Sequence, residues 1–155
     1  MKNNRSRGFT LLELLVVLVV VGIMLGLVSM SAIPDKRHVL LNDAQRVALL
    51  LQLAREEAIV RNRPVAFEID SIQYRFYIRN ERDWERLNDN DLFREREFKN
   101  SPLAITMQGV HADNVLPMKI IFGREPVDKP FLLTLTYQDV SVSIHADGIG
   151  HFDVE

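Results

Sequence analysis

An α+β chain is predicted, with one long N-terminal helix, half apolar and half amphipathic, laid on antiparallel β-sheets. Three observations predict it. A 25-residue stretch from Phe9 to Ile33 is apolar apart from Glu13 and small polar residues. An apolar stripe at steps of three and four follows from Leu40 to Ala58, the spacing of one helix face. Beyond Pro64, short segments alternate apolar and polar residues with the period of half-buried strands.

Composition frames these elements. The 155 residues carry 19 Lys and Arg against 21 Asp and Glu, a net charge of −2, so bulk electrostatics gives no reason to expect a polyanion as partner. Hydrophobic content of 47% with 26% charge is that of a folded domain rather than a disordered tail or a multi-span membrane protein. Cysteine is absent, which removes disulfides, thiolate metal sites and Cys nucleophiles together.

The apolar stretch, at ~1.5 Å per residue, makes roughly 37 Å of helix, enough for a ~30 Å hydrocarbon layer. Lys2, Arg5 and Arg7 precede it with no acid among them, the bias that holds an N-terminus on the cytoplasmic side. The rest of the chain is then exported. A cleaved secretory signal is the alternative, with Ser29-Met30-Ser31 as its cleavage site. The stretch exceeds the 7–15 residues of an ordinary signal core, and an ionised Glu13 costs about 2.5–3.5 kcal/mol near mid-membrane. Near a helix N-terminus the macrodipole favours that carboxylate, and an ammonium on a neighbouring helix can pair with it.

Read together, Arg7-Gly8-Phe9-Thr10-Leu11-Leu12-Glu13-Leu14 resembles the processing site of type IV pilins and type II secretion pseudopilins. The resemblance implies cleavage between Gly8 and Phe9 by a prepilin peptidase and N-methylation of Phe9. It places Glu13 at the fifth mature position, where the family carries an acid used in assembly. Residues 1–8 become a cleaved leader, 9–33 a transmembrane and assembly helix, and 34–155 a periplasmic pilin-like α+β domain. Loss of the leader takes the net charge from −2 to −5.

Pro34 interrupts or kinks the helix, because it lacks an amide donor and crowds the preceding turn. Leu40, Ala44, Val47, Leu51, Ala54 and Ala58 then form the stripe, with Asp43, Arg46, Gln52, Arg55 and Glu56 off it. Arg61-Asn62-Arg63-Pro64 ends it, with basic residues in the last turn and a proline beyond. From Phe9 to Asn62 the spine is roughly 80 Å long, half of it in membrane.

Strands are expected at 65–70 and 74–79 as a hairpin, then at 103–107, 118–122, 131–137 and 140–145. A turn at Asp147-Gly148-Ile149-Gly150 precedes a last strand at 151–154. Between Asn80 and Asn100 five basic and seven acidic residues surround Trp84, Leu87, Leu92, Phe93 and Phe98, an excursion between strands. Trp84 either anchors a partner or pins the excursion to its own domain.

The segment Leu53-Ala54-Arg55-Glu56-Glu57-Ala58-Ile59-Val60-Arg61-Asn62-Arg63-Pro64-Val65, the later Trp84 and Leu92-Phe93-Arg94, and Asp147-Gly148-Ile149-Gly150 are similar to the GspH class of minor pseudopilins. That resemblance covers essentially the whole chain. It implies a type IV pilin-like fold and a non-enzymatic subunit at or near the tip of a periplasmic pseudopilus. There it joins a tip complex of other minor pseudopilins to the shaft of the major pseudopilin and aids export of folded proteins across the outer membrane. Before assembly its partner is the inner-membrane bilayer, crossed once with the C-terminal domain in the periplasm. Met30 at the twenty-second mature position departs from the longer type IV pilins, many of which carry a kinking proline there.

No catalytic residues, metal site or cofactor are expected. The chain carries no Gly-x-Ser-x-Gly elbow, zinc His-Glu-x-x-His, Walker loop or Gly-x-Gly-x-x-Gly fingerprint. His38, His111, His145 and His151 lack ligand spacing, and Asn88-Asp89-Asn90-Asp91 lacks the Gly and terminal Glu of a calcium loop. The alternative function is a minor pilin of a type IV pilus, in assembly priming or DNA uptake. Nucleic acid is not expected as a partner, since 124–155 holds two basic and six acidic residues and phosphates need a basic groove.

Overall fold

The computed structural model of the chain describes residues 10–30, 35–88, 91–109, 114–125 and 127–155. They form two units, one up to Pro34 and one of Asp35–Glu155. In the first, α1 runs over Leu11–Met30. Its described side chains are uncovered, from Leu11 at 84% exposure to Val21 at 45%, so within its own unit the helix has nothing to bury its apolar surface against. The expected break at Pro34 lies outside the described residues.

The second unit opens with α2, Lys36–Val60. Asp35 caps it, its side chain accepting the Arg37 amide at 3.0 Å, which satisfies one of the donors a helix start leaves over. All six stripe residues, Leu40, Ala44, Val47, Leu51, Ala54 and Ala58, are buried. The end differs from expectation. Arg61 is the cap residue and Arg63 lies past it, so neither is in the last turn. Asn62, at φ +53°, reverses the chain, its amide donating to Ile59 O at 3.2 Å and the Arg63 amide to Ala58 O at 3.1 Å. These are the paired bonds of a left-handed helix stop, in a conformation asparagine tolerates better than most residues.

Two antiparallel sheets follow. The first holds β1 (Val65–Ile69), β2 (Gln73–Asn80), β3 (Asp83–Arg86), β4 (Arg96–Glu97) and, after β5, β6 (Met118–Phe122). Its order is β3-β2-β1-β6, with β4 also on β2. The second is β5 (Ala104–Gly109), β7 (Phe131–Tyr137), β8 (Val140–Ala146) and β9 (Phe152–Val154), in the order β5-β7-β8-β9. The hairpin β1–β2 pairs Val65 with Ile78 through Ile69 with Tyr74, its turn held by Asp70 Oδ1, which accepts the amides of Ile72 (2.8 Å) and Gln73 (2.9 Å). Helix α2 packs against strands of both sheets, and the alternation read in β8 holds: Val142, Ile144 and Ala146 are buried while Ser141 and His145 face out.

The 80–100 excursion is a built element rather than a connecting loop. It supplies β3 and β4 to the β2 edge and buries Leu87, Phe93 and Phe98. The Phe93 ring stands 5.1 Å from Phe76 and that of Phe98 5.3 Å from Tyr74. At about 1.5–3 kcal/mol for each large apolar side chain buried, these anchors hold the excursion to the domain despite its polar composition. Two polar residues off the α2 stripe are likewise buried: Asp43, at 3% exposure, and Arg55, at 9%. Each has a partner on a distant segment, which periodicity cannot reveal.

Candidate assembly and contact sites

At the start of α1, Thr10 precedes the helix and Glu13 is in its first turn. The Glu13 amide lies 3.1 Å from Thr10 O and 3.3 Å from Thr10 Oγ1. This is half of a capping box, and its Thr-x-x-Glu spacing is legible in the sequence. The cap holds the backbone of Glu13 and leaves its exposed side chain at the positive end of the helix dipole. Gly8 and Phe9 lie outside the described residues. Among the described residues no helix is long and apolar enough to cross a membrane; side chains of α1 are described as far as Leu25, and the rest of the apolar stretch lies beyond them.

Trp84 is half-buried in β3, opposite Arg79 of β2. The Arg79 guanidinium carbon stands 5.9 Å from the ring centre, within cation–π range. The ring lines a cavity of about 640 Å³ whose walls come from both sheets, among them Ile121 of β6, Met107 of β5 and Phe131 of β7, with Val127–Pro130 closing one side.

Beside it lies a cross-strand charge cluster. Glu68, buried in β1, faces Arg75 of β2 and Lys119 of β6 in register. Its carboxylate meets Arg75 Nε at 2.5 Å and Lys119 Nζ at 3.0 Å, and Lys119 lies 5.3 Å from the Tyr77 ring centre. Burial alone raises the Glu68 pKa, but hydrogen bonds and charge from Lys119 and Arg75 outweigh it and hold the carboxyl below its ordinary value. Two arginines of the excursion are neutralised locally, Arg86 by Glu95 at 2.5 Å and Arg94 by Asp91 at 3.1 Å, while Arg96 donates to the Asp91 carbonyl at 2.9 Å.

The histidines are dispersed. His38 stands 4.0 Å from Asp35, His151 Nδ1 is 2.5 Å from Asp147 Oδ2, and His145 faces solvent. His111, Asp89 and Asn90 fall outside the described residues. Among the described residues no group of three metal-ligating side chains occurs.

A helix dressed in exposed apolar side chains, joined in one chain to an amphipathic helix packed on antiparallel sheets, defines the class: a pilin-like α+β subunit. The fold matches the minor pseudopilin EpsH from the type 2 secretion system of Vibrio cholerae, at a TM-score of 0.55 and 16% identity over 78% of this chain and 97% of that one. Residues 3–29 match the prokaryotic N-terminal methylation motif, and residues 43–148 match type II transport protein GspH. Type II secretion system protein H of Aeromonas hydrophila is 28% identical over 97% of this chain and 93% of its own length. The protein of that name from Pseudomonas aeruginosa is 34% identical over 44% and 41%. The chain belongs to the GspH family and is a minor pseudopilin of type II secretion; the type IV pilus alternative is not favoured.

Proposed function

We propose that the chain enters the inner membrane as a single-pass prepilin with its C-terminal domain in the periplasm, loses residues 1–8, is methylated at Phe9, and joins the pseudopilus at or near its tip. There it links the other minor pseudopilins to the major-subunit shaft and performs no catalysis. The observation that carries this reading is the uncovered apolar helix α1 with an acidic residue in its capped first turn. Such a surface needs lipid before assembly and other helices after it. Glu13 then pairs with the N-terminal ammonium of an adjacent subunit, and stranding either charge among apolar side chains is costly, which sets the register of packing.

Trp84 is the contact residue of the exported domain: an aromatic half in solvent at the rim of a cavity is the type that anchors a protein partner. Intact-mass measurement of protein purified from its native membrane tests the processing. Loss of Met1 to Gly8 with one added methyl group is expected. A chain beginning at Ala32 instead identifies an ordinary exported protein and overturns the reading.

A further inference from the structure

Arg55 is buried on the covered side of α2, where it meets two segments distant in sequence. Its Nε lies 3.5 Å from Asp128 Oδ2. Gly150 lies against its guanidinium, so close that a Cβ there would stand 2.6 Å from Nη1. Those two segments are themselves joined, the Asp128 amide donating to Gly148 O at 2.7 Å. The turn beneath them is internally braced, with Asp147 Oδ1 accepting the amides of Ile149 (2.8 Å), Gly150 (3.0 Å) and His151 (3.1 Å).

Placing a buried guanidinium beside a partly buried carboxylate is an inefficient way to stabilise a domain, because desolvation offsets most of what their attraction returns. A pair so placed fixes position. What it positions is specific: Val127, Asp128, Lys129 and Pro130 form one wall of the cavity that holds Trp84. We propose that Arg55 is a positioning residue for that cavity, acting through Asp128 and footed on the 147–150 turn, so that α2 governs where the 127–130 wall stands. The proposal is independent of the assembly reading, since it concerns the chain alone; either can fail without the other.

Hydrogen exchange at the Asp128 amide, with acrylamide quenching of Trp84, the single tryptophan, tests it in the full chain in detergent micelles. Arg55→Gln and Asp128→Asn should each speed exchange at that amide by about tenfold and change Trp84 quenching, while the amides of Val47 and Leu51 keep their rates. The double variant should exchange no faster than the faster single one, because the two act through one contact. Arg55→Lys, which keeps the charge, should fall between. Unchanged exchange at Asp128, equal acceleration at every amide, or additive effects in the double variant overturn the proposal. If Arg55→Gln does not fold, the near-isosteric Asp128→Asn carries the test through its own local and quenching readouts.

Discussion

The Asp128 amide donates to the Gly148 carbonyl at 2.7 Å, and the Asp128 carbonyl oxygen occupies the place where a side chain on Gly148 would begin. Gly148 also sits at φ +83°, a backbone region that glycine enters at little cost. Gly150 has φ +117°, but its nearest obstacle is the end of the Arg55 side chain rather than backbone. Gly148→Ala should therefore cost more than Gly150→Ala, on the order of 2–4 kcal/mol against 1–2. Thermal unfolding of the two variants side by side checks the order, and equal midpoints would contradict it.

Acidification should weaken the domain through Glu68. Its pKa is lowered from 4.5, because Lys119 and Arg75 outweigh burial, so near that pH the native state holds fewer protons than the unfolded chain. The stability it contributes is present above about pH 4.5 and fades as pH falls through the native value. Asp147 acts in the same sense: desolvation works to raise it, and the His151 side chain with the amides of Ile149 and His151 pulls it below 3.8. Asp128 acts oppositely. Burial raises it above 3.8 despite the Gly123 amide and Arg55, so its contribution is present below that pH and is lost as pH rises through the native value. Glu68→Gln should lower stability by about 1–2 kcal/mol at pH 7 and by progressively less toward pH 3. A constant difference across that range would rule out the cluster as the cause.

Asp43 holds the excursion to α2. Its buried carboxylate accepts the Lys99 amide at 3.1 Å, with Arg46 Nη1 3.8 Å away. Asp43→Ala strands that amide and should cost about 1–3 kcal/mol, with faster exchange concentrated at 96–99. Asp43→Asn, which retains an acceptor, should be milder. Loss spread evenly over the domain would show that Asp43 matters only for general packing.

Glu13→Leu removes the carboxylate and leaves the cap, because Thr10 holds the Glu13 backbone amide. The variant should insert in the membrane and keep the unfolding midpoint of its Asp35–Glu155 unit, yet fail to cross-link into pseudopili. Normal incorporation would refute the pairing role.

Much of the fold was legible because it is encoded locally. The stripe from Leu40 to Ala58 and the alternation in β7 and β8 state which face each element buries, and every stripe residue is buried. Charge-dense composition conceals the two strands of the excursion, because a few aromatics, Phe93 and Phe98, do the anchoring against Phe76 and Tyr74 in place of a periodic apolar pattern. Asp43 and Arg55 lie off the apolar stripe and are nonetheless buried, for a related reason. A helical wheel gives the angle of a residue, and the segments that meet these two arrive from 56 to 95 positions away.

What the sequence determined by itself is the N-terminal pattern, an apolar run from Phe9 that is preceded by Lys2, Arg5 and Arg7 and interrupted by Glu13, because its chemistry lies within a few consecutive residues. The amphipathic helix and the alternating strands share that property, since backbone periodicity and side-chain polarity are local quantities. Only the tertiary structure decided that Glu68 meets Lys119, that Trp84 borders a cavity walled by both sheets, and that Arg55, Asp128 and the 147–150 turn meet behind it. Those contacts join residues far apart along the chain, and their geometry exists only once α2 has been packed against both sheets.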